Sequence, residues 1–419
     1  MPSQTLIVAG LSSRMMAESA AQAGLRVAAL DLFGDADTRH VAARWEPIGA
    51  AGTMAVDGEH LLAALRRLRD TEHPSGWVAG SGFEQRPELL DAGHALVPLF
   101  GNSAATVRGV KQPGVFFPLL AALGIAHPET RLEMPRDPSG WLCKAVGGTG
   151  GWHIRQLAAE DAADTSGTIS TVSAVSAVSA VDTTRYFQRR SPGLPMSALF
   201  VAHRRGVQLV GISLQRIAAH HDCPYLFQGA AGPSILPAAA MARLVEIVHC
   251  IARETGLLGL NSIDFLFDAP ELTVLEVNPR PPASMALYAD ACPRGLMHAH
   301  LQACRGATPE PPAVRQAGVR GFQIVFAQEA AQVNATLAAA LMRTGWCHDI
   351  PVPGTYVAAG HPFCSVSATG AATGALDAEL CLRGERIQSL IKASHAEFRR
   401  TAGIPAALSI GTRNLRQHA

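Results

Sequence analysis

Lysine is nearly absent from this chain: of 35 basic residues only Lys111, Lys144 and Lys392 are lysines, and the rest are arginine. Excess charge of either sign is lacking as well. The 35 basic residues face 34 acidic ones, for a net charge of +1, which leaves no electrostatic footprint for nucleic acid or an anionic membrane. Hydrophobic residues make up 48% of the chain, much of it alanine, and no apolar stretch reaches the roughly 20 residues that cross a bilayer. The first residues run straight into a strand pattern, without the basic region, apolar core and cleavage site of a signal peptide. The eight cysteines form no Cys-x-x-Cys pair. That argues against a zinc knuckle or a disulfide framework and predicts reduced thiols, mostly core residues, in a cytoplasmic protein.

Two nucleotide-binding fingerprints are missing too. Thr5 to Ala9 reads as a buried strand, Gly10 to Arg14 as a turn into a helix through about Ala23, and Leu25 to Leu30 as a second strand ending at Asp31. This imitates a dinucleotide-binding unit, with Asp31 about where a ribose acid would lie, but the glycine fingerprint is absent. The unit is read instead as an α/β domain in which Arg14, at a helix start, meets an anionic substrate. Leu61 to Arg69 has the stripe of an amphipathic packing helix. The other fingerprint, the P-loop, is excluded because Val146-Gly-Gly-Thr-Gly-Gly151 lacks a Gly-Lys-Ser/Thr ending.

What is present is concentrated in Asp264-Phe-Leu-Phe-Asp-Ala-Pro-Glu-Leu-Thr-Val-Leu-Glu276-Val-Asn278-Pro-Arg280. Ser262 to Phe267 and Leu272 to Val277 flank the turn Asp268 to Glu271, the pattern of an antiparallel pair. Folding about that turn sets Asp264 nearly opposite Glu276. Residues two apart share a face, so Glu276 and Asn278 point the same way and three oxygen-bearing side chains converge. Mg²⁺ suits that set, since it binds through one or two carboxylates and takes its other oxygens from water and phosphate. Arg280 adds a cationic fork for phosphate or carboxylate. A surface hairpin with solvated acids is the bland alternative, yet both acids lie inside apolar runs, not at the turn.

The scarce lysines point the same way. Where arginine is used so consistently, a lysine marks a need for a compact charge on a flexible stem. Lys144 ends the strand-like run Trp141 to Lys144, three residues before the loop Gly147, Gly148, Thr149, Gly150 and Gly151. Glycines there let backbone N–H groups approach phosphate oxygens while the ammonium adds charge.

On these residues the chain resembles the ATP-grasp superfamily over most of its length. Lys111 with the helix after Phe116 is similar to that family's first nucleotide lysine, and Lys144 with Gly147 to Gly151 to its second lysine and flexible phosphate loop. Gln188 to Ser197 resembles the interdomain hinge that contacts adenine, which implicates Gln188 and Arg189. Asp264, Glu276 and Asn278 fall on the magnesium positions and Arg280 on the one that meets phosphate or the acyl intermediate. One departure stands out: the hinge segment contains no acid for the ribose hydroxyls.

The resemblance implies an α/β (α+β) ATP-grasp fold. Its parts are a Rossmann-like pre-ATP-grasp domain at 1–105, an ATP-grasp domain at 106–305 with a lid subdomain at about 140–187, and a small β-rich cap at 306–419. Within the lid, Thr165 to Thr184 carries a Val-Ser-Ala repeat and reads as a mobile insertion. His220-His221-Asp222-Cys223 holds metal-capable residues on a loop near the substrate entrance, but consecutive histidines do not easily converge on one ion. The segment from Pro281 through Ser284 to Tyr288 is expected to turn into a helix lining the acceptor side, so Ser284 joins Arg14 as a candidate substrate contact.

The implied cofactors are ATP and Mg²⁺, and the implied partners are a small carboxylate and an amine, with neither nucleic acid nor membrane; a homodimer stays open. The implied reaction makes an amide through an acylphosphate, with Lys144 and Arg280 catalytic. The runs Asp264 to Phe267, Leu275 to Arg280 and Asp349 to Gly354 are most similar to ATP-grasp proteins of tetrahydromethanopterin-linked one-carbon metabolism and to tyramine-glutamate ligases, which implies coenzyme assembly. Two other classes stay open. A biotin-carboxylase-like enzyme would need a separate carrier, since Lys392 lacks a Met-Lys-Met setting; the other is a non-catalytic ATP-binding regulator.

Overall fold

The computed structural model describes residues 4–49, 54–158, 185–313 and 318–401. The Val-Ser-Ala tract lies outside the described residues. Near the N-terminus a parallel four-stranded sheet runs in the order Arg44–Pro47, Arg26–Asp31, Thr5–Ala9, Gly76–Ala79. Its strand Thr5–Ala9 is buried throughout, as a parallel strand covered on both faces must be. Helix Gly58–Glu72 buries Leu61, Ala64, Leu65 and Leu68, one apolar stripe at helical spacing. Asp31 is spent on structure. Its carboxylate accepts from Ser13 N and Oγ, Gly34 N and Trp45 Nε1, so no capacity remains for a ribose.

The centre of the molecule is an eight-stranded antiparallel sheet. Its order is Glu271–Asn278, Gly259–Asp268, Leu194–His203, Gly206–His220, Cys223–Gly232, Val319–Phe326, Pro362–Gly370, Cys347–His348. Strand Leu194–His203 is apolar on alternate faces for two different partners. Ala198, Phe200 and Ala202 pack with Leu244, Ile247, Val248 and Ile251 of helix Ala238–Thr255. Leu199 and Val201, pointing the other way, pack with Met285, Leu287, Leu296 and with Leu6 and Val8 of the parallel sheet. That second layer fastens the N-terminal sheet to the central one.

A third sheet, also antiparallel, has the order Thr130–Arg131, Arg185–Arg189, Trp141–Ala145, Arg155–Gln156. Trp141, Cys143, Leu157 and Phe187 form its own small core. Residues of the other parity, Lys144, Tyr186 and Gln188, therefore face the opposite side.

Two expectations are refined here. The expected C-terminal β-rich cap supplies strands, but they continue the central sheet through Cys223–Gly232 pairing with Val319–Phe326. The region also carries helices Ala335–Met342 and Thr373–Thr401. Leu376, Leu380, Ile387 and Ile391 of the long helix are buried against Val366 and Ala368. The segment Ala283–Tyr288 does turn into a helix, of the 3₁₀ kind. All eight cysteines are free, and no helix among the described residues is long and apolar enough to cross a membrane.

Candidate functional site

Strands Gly259–Asp268 and Glu271–Asn278 pair in the register Ser262 with Asn278 and Asp264 with Glu276, with a bulge just after Asp264. That register brings all three oxygen donors to one place, and the neighbouring strand adds Ser197, which pairs with Asp264. Ser197 Oγ donates to Asp264 Oδ1 at 2.7 Å, and Asn278 Nδ2 donates to Asp264 Oδ2 at 3.1 Å. Lys111 Nζ donates to Glu276 Oε2 at 2.9 Å and to Asn278 Oδ1 at 3.3 Å. One continuous polar chain results.

Lys111 arrives from the side, as the last residue of helix Ala104–Lys111, whose start Ser103 caps. The helix ends before Pro113, which begins the next helix, Pro113–Ala122. A lysine at a helix C-terminus suits the local dipole. Lys144 comes from the third sheet. Its buried Nζ donates to Gln188 Oε1 at 2.6 Å, and that neutral amide oxygen is its one hydrogen-bond acceptor among the described residues. An ammonium has three donors, so two remain for a ligand.

The charges are unequal in a way the geometry explains. Glu276 lies deep in the cleft yet keeps 38% of its side-chain surface open there. Burial would raise its carboxyl, but the bonded Lys111 ammonium and then Lys144 hold it below the usual carboxylate range. Asp264 has no cation bonded to it, and burial followed by repulsion from Glu276 pushes it up. Burial also lowers the Lys144 ammonium, against the pull of Glu276. A divalent cation among Asp264, Glu276 and Asn278 would relieve the acid repulsion, and three hard oxygen donors are what Mg²⁺ takes.

A small open pocket lies over this network. Lys111, Glu276, Gly147, Gly148 and His153 line its polar side, and Phe116, Phe117 and Tyr186 form an aromatic wall. The glycine loop is seated on the central sheet: Phe227 N donates to Gly150 O at 3.0 Å, and a Cβ at Gly151 would sit 2.0 Å from Tyr225 O. His153, which the sequence reading did not single out, hangs from this loop. A Cβ on Gly148 would meet its ring at 2.2 Å. Burial pushes the imidazole down to about 4, so it is neutral near pH 7, and its buried Nδ1 has no hydrogen-bond partner among the described residues.

Arg280 leaves the hairpin and meets Glu84 of the N-terminal layer, Nε to Oε1 at 2.5 Å. Glu84 was also missed. No short motif surrounds it, and only the tertiary fold brings it to Arg280.

Two expected contacts have protein partners in this structure. Arg14 has its guanidinium engaged by carboxylates. Its donors go to Asp349, Oδ1 at 2.8 Å and Oδ2 at 3.2 Å, and to Glu18 at 3.1 Å, with Asp37 3.4 Å away, because the helix start abuts the segment at His348 to Ile350. Arg189 lies on the outer face of its strand over the Trp141 ring, while Gln188 faces Lys144. The histidine pair is packed, with His220 Nε2 2.7 Å from Gly360 O and its ring against Phe326. Ser284 is buried and its Oγ has no partner among the described residues.

Residues 106–284 match the family model described as an ATP-grasp domain. A comparison with curated protein sequences finds no match. Among solved structures, the N5-carboxyaminoimidazole synthetase of Staphylococcus aureus complexed with ADP is 14% identical over 91% of this chain and 97% of its own, with a TM-score of 0.65. Biotin carboxylase from Campylobacter jejuni is 13% identical over 90% of this chain and 89% of its own, at 0.67. An L-amino acid ligase from Bacillus licheniformis is 12% identical over 92% and 96%, at 0.65. At these identities the likeness is one of fold.

Proposed function

We propose that the chain, whose residues 106–284 match an ATP-grasp domain, is an ATP-grasp enzyme, an ADP-forming carboxylate–amine ligase using Mg²⁺ and ATP. The observation that carries this reading is Lys144. A buried ammonium with one neutral acceptor, beside a seated glycine loop and above an oxygen cluster, is incomplete until an anion arrives. The structural neighbours, two synthesising or ligating enzymes and a carboxylase, support the same class.

In this reading Asp264, Glu276 and Asn278 would hold a magnesium ion, which would supply positive charge to offset that of the phosphates. Lys111 and Lys144 take phosphate oxygens, and backbone N–H groups of Gly147 to Gly151 close over them. The aromatic wall of Phe116, Phe117 and Tyr186 suits a flat purine. The substrate carboxylate oxygen attacks the γ-phosphorus, the bond to the β–γ bridging oxygen breaks, and ADP leaves. The amine nitrogen then attacks the acyl carbon, phosphate departs with the bonding pair, and the nitrogen loses a proton. Arg280 faces the charge that develops in the first step, so that catalysis is largely positioning and electrostatics. Ser284 is retained as an acceptor-side contact. The division at 1–105, 106–305 and 306–419 and the role in coenzyme assembly from an amino acid and an amine are part of the same proposal.

The test is a screen of amino acids against amines for ADP release, followed by hydroxylamine in place of the amine. The expected product is a hydroxamate of the acid that supports turnover. AMP and pyrophosphate as products, or no hydroxamate with a competent acid, would overturn the ligase mechanism.

Loop seating gives a second expected result. Gly151 has φ +83° and its would-be Cβ meets a backbone oxygen. Gly151→Ala thus costs at least the left-handed penalty of about 1–2 kcal/mol, or roughly tenfold, against the seated loop. Steady-state ADP release should fall by that factor or more while the melting temperature barely moves, because the loop sits outside the main cores. Equal turnover would mean that the reaction does not need the loop seated.

A further inference from the structure

Glu84 occupies the turn after strand Gly76–Ala79, 196 residues before Arg280. Its side chain is 3% exposed and that of Arg280 14%. A carboxylate so deep in the protein needs specific partners, and Glu84 has two. Arg280 Nε donates to Oε1 at 2.5 Å, and the Gly82 backbone N–H donates to Oε2 at 2.8 Å. Burial would raise the Glu84 carboxyl, yet the charges of Arg280 and Lys111 keep it below the usual range.

The manner of the pairing is informative. An arginine that serves only to tie two layers together satisfies a carboxylate best through its two-pronged end. Here Glu84 takes the stem-side Nε instead. Of the two end nitrogens, Nη1 has a 3.5 Å contact with Pro281 O, and Nη2 has no hydrogen bond to the described residues. The fork is held from behind with its front open. The glycine loop touches the same residue from another side, since a Cβ on Gly147 would lie 2.8 Å from the Glu84 carbonyl oxygen. Cavities open on both flanks: one is lined by Glu84, Arg280, Pro281 and Asn102, the other by Lys111, Glu276 and Gly147.

We propose that Glu84 is a positioning residue for Arg280: it grips Nε so that the guanidinium end, Nη2 above all, is aimed at the reacting phosphoryl or acyl oxygen, in a place where the glycine loop seats against the Glu84 main chain. The inference rests on the ligase reading for what Arg280 does, and on geometry alone for how Arg280 is held.

The experiment has one arm for each. In full-length protein labelled with ¹⁵N-arginine, the Arg280 Nε–H resonance is assigned by its loss in Arg280→Met. Glu84→Gln, which keeps the shape and removes the charge, is expected to shift that resonance and speed its exchange with water. In the kinetic arm, Glu84→Gln lowers kcat by about 10- to 100-fold, the range for partners that orient a functional group, and leaves the Kd for a non-hydrolysable ATP analogue within about twofold. Placed on Arg280→Met, the same substitution should add almost nothing, since a residue acting through another loses its effect when that one is gone. Should Glu84→Gln fold poorly, Glu84→Asp withdraws the charge by one methylene and gives smaller changes of the same kind. An unchanged Nε–H resonance overturns the proposal, as do additive losses in the double variant. A wild type that releases no ADP with any acid and amine overturns the ligase reading, and the resonance still decides how Arg280 is held.

Discussion

Replacing Arg280 by Met is expected to slow ADP release by about 10²- to 10³-fold, the usual cost of removing one preorganised donor to a developing charge, with little change in affinity for a non-hydrolysable ATP analogue. The expected split comes from where the charges sit. In the proposed reading, ground-state phosphate oxygens would face Lys111 and the glycine loop, which line the first cavity, with Lys144 behind them. Arg280 lines the second cavity together with Glu84, and in that reading it would serve charge that appears as the carboxylate is phosphorylated. Stopped-time assays of ADP release beside calorimetry with the analogue measure the two quantities. Equal losses in both would place Arg280 in simple ATP binding.

Removing Glu276 is expected to have the other large effect, on binding itself. Glu276→Ala takes away one of two carboxylates available to a magnesium ion and also strips Lys111 of its 2.9 Å partner, leaving the Asn278 oxygen at 3.3 Å. Two ammonium groups, Lys111 and Lys144, then share a buried region with the Asp264 carboxylate, and Glu84 on the Lys111 side, left to offset them. Loss of an orienting partner alone costs 10- to 100-fold in metal affinity, so loss of a direct ligand should weaken Mg-ATP by about 10²-fold or more. Adding Lys144→Ala removes the donors that wait for phosphate and should abolish measurable binding. Calorimetry with the magnesium-bound analogue is the check, and unchanged affinity in the double variant would remove ATP from this cleft.

Much of the oxygen cluster was legible because it is local. A hairpin closed by Asp268 to Glu271 determines its own register, and period-two alternation then puts Glu276 and Asn278 on one face opposite Asp264. Lys144 and its loop were legible through rarity: in a chain with three lysines, one placed before five loop residues of which four are glycine is conspicuous. The long C-terminal helix was readable as well, from Leu376, Leu380, Ile387 and Ile391 at spacings of four and seven, but it went unread beside the more evident strands.

Other features had no local signal. Arg14 at a helix start is indistinguishable in sequence from an anion-binding arginine; what faces it, Asp349, lies 335 residues away. Arg189 and Gln188 differ only in which face of a strand they occupy, and that parity was set by the pairing of Arg185–Arg189 with Trp141–Ala145. Glu84 is one acid among 34 until the fold carries it to Arg280.

The sequence by itself therefore determined the elements and their chemistry: the hairpin, the scarce lysines, the glycine loop, and a charge balance without an electrostatic footprint for nucleic acid. The tertiary structure decided the partners, namely which carboxylate holds Lys111, that Asp349 consumes Arg14, and that Glu84 grips Arg280. The division follows from range. Strand parity, turn type and helical spacing act over a few residues and are written in the order of the chain, whereas an ion pair across nearly two hundred residues depends on how whole layers pack, and nothing near either partner encodes it.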